Sequence, residues 1–433
     1  MISVRLDPEK CRGCTICIKR CPTEAIRVRS GRAKIIKERC IDCGNCVRSC
    51  YYHAKVAVAD PLSRVSDFTH SIALPAPSLF GQFKNLEDPG VVLRALLGMG
   101  FSEVFEPALA AEMISALTAS KLGKNAPKPL VSSACPAVLR LITQRFPNMI
   151  PHVLDLISPA ELAAKLARGR AVARTGLRPR DVGVFFISPC PAKVTESHQP
   201  SRLDAPVIDY AVSMSEVYFK LLPLMKRSQA MPRAARDGLR WAFSGGESRL
   251  LGDARCAFVG GLDNVIGMLE TLDGEEDSEL DYLELGACPG GCVGGCLTVE
   301  NPFTAAARLR RLAAAAASGP DAGASPVEVF SQDFIAEQAK PARELIYTPT
   351  TILDRDVGRA MQKLRQVEEL KERLPGLDCG SCGAPGCHAL AEDVILGWAE
   401  ESDCIFNVRD GVEYAANDGI YLPPPFRRRK DDE

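Results

Sequence analysis

The eleven residues GACPGGCVGGC, Gly286 to Cys296, hold three cysteines and five glycines. Thiolates packed this closely on a bendable backbone read as metal ligands, since soft sulfur donors select iron–sulfur clusters, copper(I) or zinc. One segment of this size cannot close a four-thiolate site, so further ligands must come from elsewhere in the chain. The supply is large: 18 Cys against 5 His in 433 residues. Disulfides are not expected in a reducing cytosol, and clustered Cys-x-x-Cys spacings there point to metal. The scarcity of His favours all-thiolate iron–sulfur sites over mixed Cys/His zinc sites.

Two runs near the start, CRGCTICIKRC and CIDCGNCVRSC, share the spacing C-x2-C-x2-C-x3-C. This is the bacterial ferredoxin spacing, in which the fourth Cys of each run ligates the other cluster. Cys11, Cys14, Cys17 and Cys50 are therefore expected to hold one 4Fe-4S cluster, and Cys40, Cys43, Cys46 and Cys21 a second. Between the runs, AIRVRSGRAKII reads as a hairpin turning at Ser30-Gly31. Near the other end, CGSCGAPGC and a later cysteine give Cys379, Cys382, Cys387 and Cys404, spaced C-x2-C-x4-C-x16-C. His53 and His388 lie beside ligand cysteines and read as surface or packing groups.

Six cysteines remain. Cys135 (SSACP) and Cys190 (SPCPAK) each follow an apolar, strand-like run on a Pro-flanked turn, where open α/β sheets place their sites. With Cys288 and Cys292 they make one more complete thiolate set. The glycines would let cluster and backbone approach closely and present N–H donors to sulfur. Cys256 reads as a core residue. Cys296 reads as a small buried filler, with an extra ligand or redox thiol as the alternative.

The elements that must position these residues alternate in type. HSIALPAPSL, KPLVSSACPA and DVGVFFISPCPAK read as strands. DPGVVLRALLGMG, LAAEMISALTAS, SPAELAAKLARG and NVIGMLETL read as helices. Strands alternating with helices argue for an α/β architecture. Residues 304–326 read as an Ala/Arg helix running into a Gly/Ser/Pro linker, and the RRRKDDE tail as solvated. With 46% hydrophobic residues, 25% charged residues and a net charge of −1, nothing favours nucleic acid or a membrane as partner. No leader segment or long apolar run is visible, so the cytoplasm is the expected compartment.

SSACP, SPCPAKVTE and LGACPGGCVGGC, in this order, resemble the three H-cluster motifs of the iron-only (FeFe) hydrogenases, TSCCP, MPCxxKxxE and ExMACxxGCxxGGGxP. The resemblance spans roughly residues 66–310. It implies a 4Fe-4S cube on Cys135, Cys190, Cys288 and Cys292. Cys292 would bridge to a diiron subcluster carrying CO, CN and a dithiolate amine. Lys193 matches the family Lys that hydrogen-bonds a cyanide, and Glu196 and Glu284 match the motif acids. Without the resemblance, Lys193 and Glu196 would read as an i,i+3 surface ion pair.

LPGLDCGSCGAPGC resembles the single-cluster domain that closes many hydrogenases proposed to be sensory. The implied fold is an α/β, two-lobed H-cluster domain at 66–345. An α+β ferredoxin domain at 1–65 precedes it, and a small helical Fe-S domain at 346–433 follows. Thiolates on three modules suggest a branched electron path with two clusters before the active site and one after.

The departures from the family pattern surround the site. Ala134 replaces the relay Cys of TSCCP, Ser188 the Met of MPC, Gly286 the Met of ExMAC, and Cys296 the third Gly. Leu117 and Thr118 stand where the paired relay acids are aligned. General acid–base relays need titratable groups, so slow turnover is expected. Glu112 could begin another route, but reads as an acid on a solvated helix face. The leading expectation is a sensory FeFe hydrogenase. It would exchange H2 for protons and electrons and pass the electrons to a ferredoxin-like or signalling protein, with a homodimer possible. The alternatives are a non-catalytic iron–sulfur electron-transfer or assembly protein lacking the diiron unit, and an ordinary catalytic ferredoxin hydrogenase.

Overall fold

The structure, a computed structural model, describes residues 2–123, 126–233, 235–274, 278–317 and 330–407. The linker from residue 318 and the RRRKDDE tail lie outside the described residues. In chain order the first elements are β1 (Val4–Leu6), α1 (Ile16–Lys19), β2 (Ile26–Arg29), β3 (Arg32–Ile35), α2 (Asn45–Ser49) and β4 (Lys55–Ala57). Then come β5 (His70–Pro75), α3 (Gly90–Gly98), β6 (Glu103–Val104), α4 (Pro107–Lys121), β7 (Leu130–Val131), α5 (Pro136–Arg145) and α6 (Pro159–Thr175). They are followed by β8 (Val182–Ser188), α7 (Pro191–His198), β9 (Tyr210–Ser213), α8 (Met214–Met225), β10 (Cys256–Gly260), α9 (Leu262–Leu272) and β11 (Tyr282–Gly286). The last are α10 (Pro302–Ala317), α11 (Gln332–Gln338), α12 (Val357–Arg373) and α13 (Cys387–Ile395).

The chain forms two compact units. One comprises Met1–Arg5, Ile41–Arg48 and Val56–Pro349, the other Leu6–Cys40, Ser49–Lys55 and Thr350–Glu433.

The larger unit is α/β. It contains a parallel sheet of order β6-β5-β8-β9 and a second parallel sheet of order β10-β11-β7. β8 reads VGVFFIS and is buried along its whole length. Such an unbroken apolar run belongs to a parallel strand covered on both faces. α6 is delimited by local chemistry. Ser158 and Glu161 form a capping box at its start, and left-handed Gly176 stops it. Three strands deliver the expected ligands from their C-terminal ends. Cys135 follows β7 and caps α5, Cys190 follows β8 and caps α7, and Cys288 follows β11.

In the smaller unit β2 and β3 form the expected antiparallel hairpin. Ser30 and Gly31 both have positive φ, 50° and 70°, the conformation of a two-residue I′ turn. α12 and α13 share a small apolar core containing Val367, Leu370, Leu390 and Cys404.

Candidate metal centre

Cys135, Cys190, Cys288 and Cys292 line one cavity of about 110 Å³ in the larger unit, together with Lys193, Trp241, Phe243, Glu247 and Glu284. One water needs about 10–15 Å³, so the space suits a larger group. Burial raises the thiols of Cys190 and Cys288, with neighbouring cysteine charges adding to it, and pushes that of Cys292 up to about 12. Metal inverts this logic, because a coordinating thiol is deprotonated outright. Among the described residues no three of His, Cys, Asp or Glu are placed to hold a single metal ion. The four thiols surround a cavity instead of meeting at a point, as a cluster with one ligand on each of four corners requires. The donor set and the space thus fit a cubane.

Lys193 is partly buried and donates from Nζ to the Ala134 carbonyl at 3.0 Å. Burial works against its charge. The charges of Cys292, Cys190 and Cys135 outweigh that and keep it an ammonium. It does not pair with Glu196, so the i,i+3 reading fails. Glu196 instead takes Arg140 at 3.2 Å and the Ser201 backbone N–H and hydroxyl, both at 2.6 Å. Ser188 is buried, and its hydroxyl donates to the Cys190 carbonyl at 2.9 Å, which holds the ligand turn. Gly286 ends β11, and its carbonyl accepts from Gly261 at 2.9 Å. The glycines of the motif serve backbone packing. A Cβ on Gly294 would strike the Pro289 carbonyl, and one on Gly295 the Pro189 carbonyl.

Ala134 lines the cavity and offers no proton. Thr118 is buried, its hydroxyl bonded to the Ile114 carbonyl at 2.8 Å, and Leu117 packs on the core. Glu112 corrects the solvated-face expectation. It is partly buried and accepts from the backbone N–H groups of Arg236 at 2.6 Å and Gly238 at 2.8 Å. Burial raises its pKa.

Two residues escaped the sequence reading. Glu247 is buried beside the cavity and accepts from Ser132 Oγ at 2.9 and 3.0 Å and from the Tyr282 hydroxyl. Burial, then the charge of Glu284, raise its pKa to about 8. Glu284, also raised by burial, accepts from Gly245 N at 2.8 Å and from the Ser248 N–H and hydroxyl, both at 2.9 Å. One wall of the cavity can therefore hold a proton near neutral pH. The faint sequence signal was an acid inside the small-residue stretch SGGES.

Arg48 is the second. Its guanidinium donates to Cys288 Sγ at 3.6 Å, to the Gly294 carbonyl at 3.2 Å and to the Cys43 carbonyl at 3.5 Å. Burial works against its charge, and Cys288, Cys296 and Cys43 more than restore it. Cys296 lies beside it, its thiol pushed up to about 12 chiefly by burial, with Sγ 2.7 Å from where a Gly44 Cβ would stand.

In the smaller unit Cys11, Cys14, Cys17 and Cys50 line one small cavity, and Cys379, Cys382, Cys387 and Cys404 line another. Backbone N–H groups aim at sulfur there: Ala33 at Cys11 (3.4 Å), Ala54 at Cys50 (3.3 Å) and Ala25 at Cys21 (3.2 Å). Cys21 and Cys40 fall in the smaller unit, Cys43 and Cys46 in the larger. Cys256 sits on β10, partly buried against the main core. His388 faces Glu392 and Glu368 at 3.6 and 3.8 Å, and His53 takes a left-handed turn at φ 50°.

Residues 69–239 match the family described as iron only hydrogenase large subunit, C-terminal domain. Residues 3–51 match a 4Fe-4S dicluster domain, and residues 374–406 an Fe-S cluster family. Over residues 69–239 the chain is therefore similar to iron-only hydrogenases, with matches to iron–sulfur families before and after that region. It is 25% identical over 361 residues to the periplasmic Fe hydrogenase large subunit of Nitratidesulfovibrio vulgaris, which covers 67% of this chain and 85% of the relative. It is also 25% identical over 157 residues to the cytosolic Fe-S cluster assembly factor NAR1 homolog of Schizosaccharomyces japonicus, covering 35% of this chain and 30% of that one. Among solved structures, a variant of the FeFe-hydrogenase HydA1 from Chlamydomonas reinhardtii aligns with 67% of this chain and 97% of its own at 15% identity, TM-score 0.48. Among the described residues no helix is long and apolar enough to cross a membrane.

Proposed function

We propose that the protein is a slow, sensory-type FeFe hydrogenase. In this reading Cys135, Cys190, Cys288 and Cys292 would hold a 4Fe-4S cube, and Cys292 would also hold a diiron unit with CO, CN and dithiolate amine ligands. Bound there, that unit would supply the heterolysis of H2. The observation that carries the reading is Lys193, a partly buried ammonium on the wall of the four-cysteine cavity. An ammonium has three donors. One goes to Ala134, and the others suit an anionic ligand at the cavity. Trp241 and Phe243 add apolar surface to the same cavity. Ala134 breaks the usual relay, and the Glu247–Glu284 wall offers a slower station where a proton can wait.

Twelve of the remaining cysteines, all but Cys256 and Cys296, would supply three further 4Fe-4S sites by their spacing. Electrons would pass to a ferredoxin-like or signalling protein in the cytoplasm.

Infrared spectroscopy of the anaerobically matured protein tests this. CO and CN stretching bands that shift on H2 exposure are expected. A full complement of cubanes without such bands would favour the second reading, a non-catalytic iron–sulfur protein. The similarity to an assembly factor and the loss of the relay thiol at Ala134 favour that alternative.

A further inference from the structure

We infer that the C-terminal cysteine module is a fixed electron terminal built onto the ferredoxin hairpin, exchanging electrons directly with the Cys11, Cys14, Cys17 and Cys50 site. The inference rests on the cluster assignments proposed above and not on the diiron unit.

Three contacts within the smaller unit carry it. First, the backbone joins. Val28 on β2 donates its N–H to the Gly383 carbonyl at 2.8 Å. Gly383 has φ +83°, and a Cβ on it would run into the Val28 carbonyl oxygen. The residue after Cys382 is therefore seated on the hairpin in a way that requires glycine.

Second, a buried charge cluster locks the seat. Asp393 is almost wholly buried and takes Arg27 Nε at 2.6 Å and an Arg29 Nη at 2.9 Å. Arg29 also donates to the Cys382 carbonyl at 2.7 Å. Arg39 adds an ion pair to Glu392 at 3.0 Å. Breaking one partner of such a buried set leaves an uncompensated charge, so the module stays docked.

Third, the contact lies between ligands. Lys19 Nζ donates to the Pro385 carbonyl at 2.9 Å and to the Asp378 carbonyl. A Cβ on Gly380 would be 3.3 Å from Lys19 Cδ and 3.4 Å from Ile18 Cδ1. Gly380 follows Cys379, and Ile18 follows Cys17. Lys19 lies two residues after Cys17 and Asp378 directly before Cys379, so the two cysteine sets are joined by short covalent segments and one hydrogen bond, which favours electron tunnelling. Arg29 and Lys19 place positive charge where two anionic thiolate sets meet. That offsets their repulsion and supports both reduction potentials. Each transfer moves one electron and makes or breaks no bond. The outside donor or acceptor is a one-electron redox protein.

The test is electron paramagnetic resonance on the full chain, reconstituted with iron and sulfide but without the diiron unit and reduced with dithionite. Magnetic interaction is expected between the C-terminal and ferredoxin signals, seen as splitting and fast relaxation. The double substitution Cys379→Ser, Cys382→Ser should abolish it and sharpen the ferredoxin signal that remains. If that signal keeps its width and relaxation, the inference is overturned. Gly383→Ala should loosen the dock and lose the splitting with iron content retained. Arg29→Met, which removes the Cys382 and Asp393 bonds without adding a clash, should act in the same direction. Unchanged splitting in both variants also overturns it. Missing CO and CN bands would leave this result standing, and its own failure would leave the H2 chemistry standing.

Discussion

Replacing Arg48 by Met should lower the midpoint potential of the central cube. In the structure Arg48 Nη1 stands 3.6 Å from Cys288 Sγ, while the residue as a whole is exposed, so water and salt screen part of its charge. Two unit charges at that distance interact by about 5 kcal/mol at an effective dielectric constant of about 20. An electron added to the cube is spread over several atoms and water screens the exposed guanidinium, so at most about a fifth of this is the expected share, roughly 0.5–1 kcal/mol. At about 2.3 kcal/mol per 100 mV, the midpoint should fall by about 20–40 mV. Loss of the N–H···S bond acts in the same direction. The assay is a redox titration of the cube's paramagnetic signal in chain lacking the diiron unit, where cyanide and carbonyl ligands cannot contribute. Arg48→Lys keeps the charge and loses the planar fork, so it should shift the potential less. A midpoint unchanged in Arg48→Met would refute the electrostatic reasoning. Equal shifts in both variants would assign the effect to geometry.

Glu247→Gln should flatten the pH dependence of stability. The Glu247 pKa is raised from 4.5 to about 8, so between those values the folded chain keeps a proton that the unfolded chain has lost. Stability therefore falls as pH rises through that window, by up to about 5 kcal/mol. Thermal unfolding of the anaerobic holoprotein from pH 5 to 9 checks this, and parallel profiles for the two proteins would sink it. Ala134→Cys alone should raise H2 turnover less than about tenfold, or roughly 1.4 kcal/mol of barrier, because Leu117 and Thr118 leave the route beyond it broken. A rate typical of fast hydrogenases would overturn that. Iron analysis after reconstitution should find about 16 atoms per chain, plus about 2 on maturation, from four thiolates per cubane. A value near 8 would remove the central and C-terminal assignments.

Much of the architecture was legible because it is set by neighbours along the chain. The apolar run of β8, the alternation of strands with helices through residues 70–198, and the Ser30-Gly31 turn are all local patterns, and they emerge as the α/β unit and the hairpin. The turn contexts SSACP, SPCPAK and GACPGGC are equally local, and they pointed to the four cysteines that the fold brings around one cavity. Burial and charge are not local. Arg48 meets Cys288 across 240 residues, and Glu247 meets Ser132 across 115; neither pairing leaves a periodic trace. Lys193 and Glu196, adjacent on one helical turn, part company because the interior offers each a better partner elsewhere. Glu112 has the spacing of a solvated helix acid and is instead held by the backbone of a distant loop. A sequence lists the groups that can carry charge or protons. Which of them lose their water, and which face one another once they do, depends on the distant segments that pack over them, and the tertiary structure alone decides that.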